Sequence, residues 1–153
     1  MDPIQRLKER GRLEPFEIER AQIARHVQAA YQDLKEARAT FSVSDRAAYL
    51  FAYTAMLKIG RALLFLNGYR PKGLGQHEAV VEAAGSLLGK GFGSLTEQFD
   101  RMRRKRNTLM YDIGGLLSHS EAEEAFETAG QYLDKVRDFM EKKDPQLKFD
   151  FPP

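Results

Sequence analysis

The chain has 153 residues, 42% of them hydrophobic and 30% charged, the make-up of one globular domain long enough to bury a core. It contains no cysteine, which excludes a disulfide framework and a thiolate zinc site. Net charge is only +2, so attraction for anions has to come from local clusters and not from the field of the whole molecule.

The first 13 residues carry mostly charge and read as a flexible segment, loosely held unless docked. Pro15 suits the first turn of a helix. Phe16, Ile23, Val27, Ala30, Leu34, Ala37 and Phe41 then keep one stripe to about residue 40. Ser42 to Asp45 breaks that helix and supplies caps for the next, expected from about Asp45 to Asn67. This second helix is apolar almost all round, with a narrow polar strip of Thr54, Lys58 and Arg61, and belongs in the middle of a bundle. On it, Tyr49 and Tyr53 read as core residues with their hydroxyls satisfied.

Gly68 is a natural helix stop, and Arg70 to Gly75 forms a loop. A shorter helix spans about Gln76 to Leu88, followed by the glycine-rich run Gly89 to Gly93. Ser94-Leu-Thr-Glu97 reads as a capping box that opens a further helix, ended near Asp112 by Gly114-Gly115. Ser118-His-Ser-Glu121 is a second box, and Ala125, Phe126, Ala129, Leu133, Val136 and Met140 carry the last stripe to about Lys142. Residues 144–153, with their proline spacing, form an extended tail whose Phe149 and Phe151 are candidates to dock on the body or on a partner chain. No alternation of strand period is long enough to use, and there is no internal repeat. The expected fold is an all-α, up-and-down bundle over 14–143, of four long helices and one shorter helix. No run approaches the ~20 apolar residues of a membrane span, and the N-terminus lacks the apolar centre of a signal peptide, so the cytoplasm is the expected compartment and no membrane is implied.

The most informative stretch is 101–112, Arg-Met-Arg-Arg-Lys-Arg-Asn-Thr-Leu-Met-Tyr-Asp, where five of the first six residues are basic. At about 100° per residue, Leu95, Phe99, Met102, Arg106, Leu109 and Met110 share one sector of the helix with Arg106 near its centre. A charge in an apolar stripe is costly without a partner. Either Arg106 snorkels out to a carboxylate, or it lines a site. Arg103, Asn107 and Tyr111 form a polar row beside the stripe, while Arg101, Arg104 and Lys105 point toward solvent or an anionic partner.

Other candidates are weaker by themselves. Lys58 and Arg61 need solvent, a carboxylate or a bound anion. His77 is either a solvated first-turn histidine or a group facing Arg106. His26, His77 and His119 lie on three different elements with no ligand spacing between them, so neither metal nor cofactor is expected.

These residues resemble a family. The stretch from Ala48 to Leu64, the Gly-Tyr-Arg-Pro loop, His77, and Arg-Arg-Lys-Arg106-Asn107 with Tyr111 four residues on together look like a HEPN domain, over roughly 20–140. The resemblance implies a helical bundle that is usually dimeric, with the Arg-bearing helices of two subunits meeting across a shared cleft. In ribonuclease members the motif is an arginine, a polar residue, a short spacer and a histidine. Carried over, Arg106 and Asn107 fill the first two roles, and Tyr111 stands where the histidine belongs. A tyrosine with a pKa near 10 is a poor proton carrier at neutral pH, whereas the arginine can still hold a phosphate bidentately. Relatives are often paired with a small nucleotidyltransferase in toxin–antitoxin or two-part systems; in some of them a tyrosine near the motif is a nucleotidylation target, and by that analogy Tyr111 is a candidate acceptor. Three readings follow. The favoured one is a non-catalytic homodimeric module whose cleft, charged by Arg103, Arg104, Lys105 and Arg106, binds a nucleotide, RNA or a partner protein. The second is a metal-independent endoribonuclease using Arg106 with Tyr111 or His77. The third is a bundle used only for assembly.

Overall fold

A computed structural model describes residues 2–149. In chain order they form α1 (Pro3–Glu9), β1 (Leu13–Pro15), α2 (Arg20–Thr40), α3 (Asp45–Leu66), β2 (Tyr69–Pro71), α4 (Gln76–Leu88), a 3-10 turn (Lys90–Phe92), α5 (Gly93–Tyr111) and α6 (His119–Lys143). The architecture is all-α: α2, α3, α5 and α6 are the four long helices, α4 is the shorter one, and α1 is an addition to the expected set.

The N-terminal segment is docked. Asp2 caps α1 by accepting from the Gln5 amide at 2.9 Å, Pro3 fills the first turn, and Leu7 is buried. β1 then pairs antiparallel with β2, with Glu14 opposite Arg70 and their side chains ion-paired at 2.6 Å. Pro15 therefore ends a strand and does not open a helix. Strands of three residues are too short to show any alternation, and only their long-range pairing creates them. α2 begins at Arg20, where the Glu19 amide donates to Gln22 Oε1 at 3.0 Å. Phe16 lies before the helix, its ring 5.4 Å from that of Phe65.

α3 is the central helix. Ser44 caps it by accepting from the Ala47 amide at 3.0 Å, and it packs on α2, α4, α5 and α6. By length and composition it is apolar enough to cross a membrane, contrary to the sequence expectation, but its apolar residues, from Ala48 through Met56 to Leu64, are spent on the bundle core. Gly60 sets the approach of its neighbour: a Cβ there would lie 2.8 Å from Val80 Cγ1 on α4 and 3.7 Å from the Phe99 ring on α5. Three helices converge at that point because one residue has no side chain.

α5 does not open on a Ser94 capping box. The 3-10 turn runs directly into the helix at Gly93, Phe92 takes the N-cap position, and Ser94 Oγ instead accepts from Gln98 Nε2 at 3.2 Å. The second box is real: Ser118 Oγ accepts from the Glu121 amide at 3.0 Å, and Glu121 Oε1 from the Ser118 amide at 3.2 Å. Past α6, Leu147 is buried and Phe149 packs on the core, while Phe151 lies outside the described residues.

Substituting Gly60→Val forces Val80, a side chain stiff at χ1, out of its place. The expected loss is about 1–3 kcal/mol of stability, read as a lowered thermal midpoint. An unchanged midpoint would show that α3 and α4 have room to separate.

Candidate functional site

Of the basic residues of α5, Arg103, Arg104 and Lys105 pair with carboxylates, while Arg101 is exposed and has no ion pair among the described residues. Arg103, with its side chain only 16% exposed, donates from Nε to Asp100 at 2.9 Å and reaches Glu78 of α4 at 4.0 Å. Arg104 pairs with the same Asp100 at 3.1 Å. Lys105 pairs with Glu121 at 3.4 Å and also donates to the Leu116 carbonyl. Arg106 differs from these three in its partners and from Arg101 in its burial. Half-buried, it meets no carboxylate among the described residues; its Nη1 donates to Asn107 Oδ1 at 3.2 Å, and its guanidinium lies 5.8 Å from the centre of the Tyr111 ring.

The sector drawn from the sequence holds in part: Leu95, Phe99, Met102 and Leu109 are buried, and Arg46 of α3 donates to the Leu109 carbonyl at 2.9 Å, but Met110 is 43% exposed and Tyr111 73% exposed. Arg106 of the same sector is half-buried. In the polar row beside the stripe, Asn107 and Tyr111 are on the surface and Arg103 is half-buried.

The α3 strip divides in the same way. Lys58 is ion-paired with Asp33 of α2 at 2.7 Å, a carboxylate itself only 7% exposed. Arg61 is half-buried and makes neither an ion pair nor a hydrogen bond among the described residues. Burial lowers its pKa, with Tyr53 opposing, yet a guanidinium keeps its charge at neutral pH.

His77 joins Arg61 to Arg106. It is not a solvated first-turn residue: it is half-buried, and its Nδ1 lies 3.0 Å from the hydroxyl of Tyr53. Burial, then the charges of Arg106, Arg61 and Arg103, push its pKa down to about 4. Tyr53 feels the same three guanidiniums, although burial outweighs them and raises its pKa. A neutral histidine, a buried hydroxyl and cations from two helices thus occupy one neighbourhood. His26 of α2 lies within reach of Arg61 and Lys58 on the other side, its pKa lowered by burial first and by those charges next.

Of the predicted site residues, then, the structure gathers Arg61, His77, Arg103 and Arg106. It directs Lys58, Arg104 and Lys105 to carboxylates, and leaves Asn107 and Tyr111 exposed beside Arg106. Sequence reasoning missed Tyr53 as a member of the site and Asp33 as the partner of Lys58. Asp33 had a signal, since a carboxylate beside the apolar stripe of α2 raises the same question as Arg106 does on α5. Tyr53 had none, because its partner is 24 residues away on another helix.

A groove of about 490 Å³ lies on the opposite flank of α5, toward α6, lined by Tyr49, Arg101, Arg104, Lys105, Glu121 and Glu124. Its charges are mixed and already partly paired. Among the described residues no three histidine or carboxylate side chains converge as metal ligands. Chemically, the Arg61–His77–Arg106 cluster can hold an anion. Its carboxylates, Asp100 and Glu78, are engaged by Arg103, and neither is within ion-pair distance of Arg61 or Arg106.

The family model for the HEPN domain matches residues 23–139, from the first buried turn of α2 almost to the end of α6. Nothing among curated proteins or solved structures matches the chain significantly.

The charges around His77 make a prediction about its titration. Proton NMR should find it protonated only near pH 4, with the wild-type fold losing stability as pH falls from the ordinary histidine value toward that point, because the unfolded chain binds the proton more readily. Arg106→Gln should move the His77 pKa upward. A titration unmoved by that change would place Arg106 out of range.

Proposed function

We propose, for a chain that belongs to the HEPN domain family, a homodimeric module whose basic cleft binds the phosphate of a nucleotide or of an RNA segment. The observation that carries this reading is the pair of half-buried guanidiniums, Arg61 and Arg106, that lack carboxylate partners among the described residues and whose charges both act on His77. Burying a cation without a counter-charge costs free energy. A phosphate that bridges both guanidiniums recovers it through charge-assisted hydrogen bonds. His77 lies in the first turn of α4, where the positive end of the helix favours the same charge.

Dimerisation is supported by what surrounds the end of α5. Met110, Tyr111, Ile113 and Leu116 form an exposed apolar run immediately after Arg106, from 43% exposed at Met110 to fully exposed at Ile113. Apolar surface of that kind marks association sites. Joining two copies there brings two Arg106 residues toward one cleft. Tyr111 lies on that run, so in a two-part toxin–antitoxin system a nucleotidyltransferase partner would have to reach it on the separated subunit.

A ribonuclease reading has one specific support: a histidine does lie within electrostatic reach of Arg106, although it is His77 and not a residue of the Arg106–Tyr111 motif. In that reading His77 carries the proton and the exposed Tyr111 does not. A histidine held near pKa 4 amid three guanidiniums is poorly matched to general-base work at pH 7, which favours binding over cleavage.

Binding of a short fluorescent RNA, followed by anisotropy with chelator present, separates these readings. The expected result is salt-sensitive binding without cleavage, weakened roughly 10- to 100-fold by Arg106→Ala or Arg61→Ala. Lys105→Ala, which removes a cation already paired with Glu121, should change little. Chelator-insensitive cleavage abolished by Arg106→Ala would replace the binding reading with the ribonuclease. RNA affinity indifferent to both arginines would remove the site.

A further inference from the structure

The Tyr53–His77 contact decides what kind of group the histidine offers. Tyr53 is 1% exposed, and the contact of its oxygen with His77 Nδ1 at 3.0 Å is the hydroxyl's one hydrogen bond among the described residues. A tyrosine hydroxyl has a proton to place. If Nδ1 carried hydrogen, it would donate to the phenol oxygen, and the phenol proton would be left buried without an acceptor. Buried donors are satisfied in native structures. The arrangement that satisfies both groups has Tyr53 Oη–H donating to an unprotonated Nδ1. A neutral imidazole carries one hydrogen, so that hydrogen is then on Nε2.

We propose that Tyr53 is a positioning residue that holds His77 as the Nε2–H tautomer, so that His77 enters the site beside Arg61 and Arg106 as a third hydrogen-bond donor and not as a proton acceptor. This rests on the phosphate-site reading above and deepens it. Two guanidiniums and one N–H present donors only. Their complement is a ligand group made of acceptors only: a deprotonated phosphate ester, whose oxygens accept from every direction. An ammonium group in the same place would set its hydrogens and its charge against those of the site, and among acceptor-only groups the negative charge of the phosphate suits the two guanidiniums best. The arrangement also leaves the cluster without a free base, because the one nitrogen lone pair of His77 is occupied by Tyr53.

The support beneath the pair is rigid. The Tyr53 ring lies 5.9 Å from Phe99, which lies 5.1 Å from Tyr132, so the hydroxyl is set by an aromatic column through the core. The charged and titratable groups facing His77 are Tyr53 and Arg61 from α3 and Arg103 and Arg106 from α5.

Long-range 1H–15N NMR of the full chain at pH 7 reads the tautomer directly. The expected spectrum has His77 protonated at Nε2 and bare at Nδ1, and a proton on Nδ1 would overturn the proposal. Tyr53→Phe should release the preference into a tautomer mixture and weaken binding of inorganic phosphate about three- to tenfold; a folded variant with both unchanged would overturn it. His77→Gln, which keeps a side-chain N–H, should retain phosphate affinity within about threefold, and this holds the test open if Tyr53→Phe does not fold. A loss of more than tenfold in that variant would contradict the donor role. The proposed tautomer together with phosphate binding indifferent to Arg61 and Arg106 would remove the phosphate site while leaving Tyr53 as the residue that orients the ring.

Discussion

Charge compensation across helix contacts organises this molecule. Lys58 crosses from α3 to Asp33 on α2, Arg103 from α5 to Glu78 on α4, and Lys105 from α5 to Glu121 on α6. Such pairs add little to stability when exposed, but they dispose of charge that would otherwise attract any passing anion. Against that background Arg61 and Arg106, half-buried and without a carboxylate among the described residues, stand out. They come from different helices, neither is fully solvated, and both act on the same histidine. That is where we propose a charge from outside the chain binds.

The core holds that place in position. Gly60 lets α4 approach α3 to within contact of Val80, and the same approach carries His77, one turn earlier on α4, to the Tyr53 hydroxyl. Phe99 from α5 packs against both Tyr53 and Tyr132 and so fixes the helix that bears Arg106. The site is therefore built on helices and not on loops, and its geometry is only as loose as the packing of α3, α4 and α5.

Much of this was legible in the chain. α3 and α4 announce their boundaries through Ser44, Gly68 and the onset of apolar spacing at Gln76, and the cap at Ser118 behaves as its residues require. The anomaly of Arg106 follows from a 100° step alone. What was hidden is what depends on contacts between distant segments. Pro15 fits a helix start or a strand end equally well locally, and only pairing with Tyr69 decides. Arg61 and Lys58 look alike on the α3 strip until Asp33 takes one of them. Tyr53 looks like plain core, and is core, but its hydroxyl faces the one histidine that matters. Position along the chain specifies faces of helices; it does not say which face of which neighbour each will meet.

The central claim is that Arg61 and Arg106 hold one anion between them, and a double-mutant cycle measures this most directly. Calorimetric titration of inorganic phosphate into wild type, Arg61→Ala, Arg106→Ala and the double variant gives the coupling between the two side chains. Shared contact with a single phosphate predicts that the double variant loses clearly less than the sum of the single losses, by about 0.5–3 kcal/mol. Losses that add to within about 0.5 kcal/mol, or no phosphate binding by the wild type, would contradict the account.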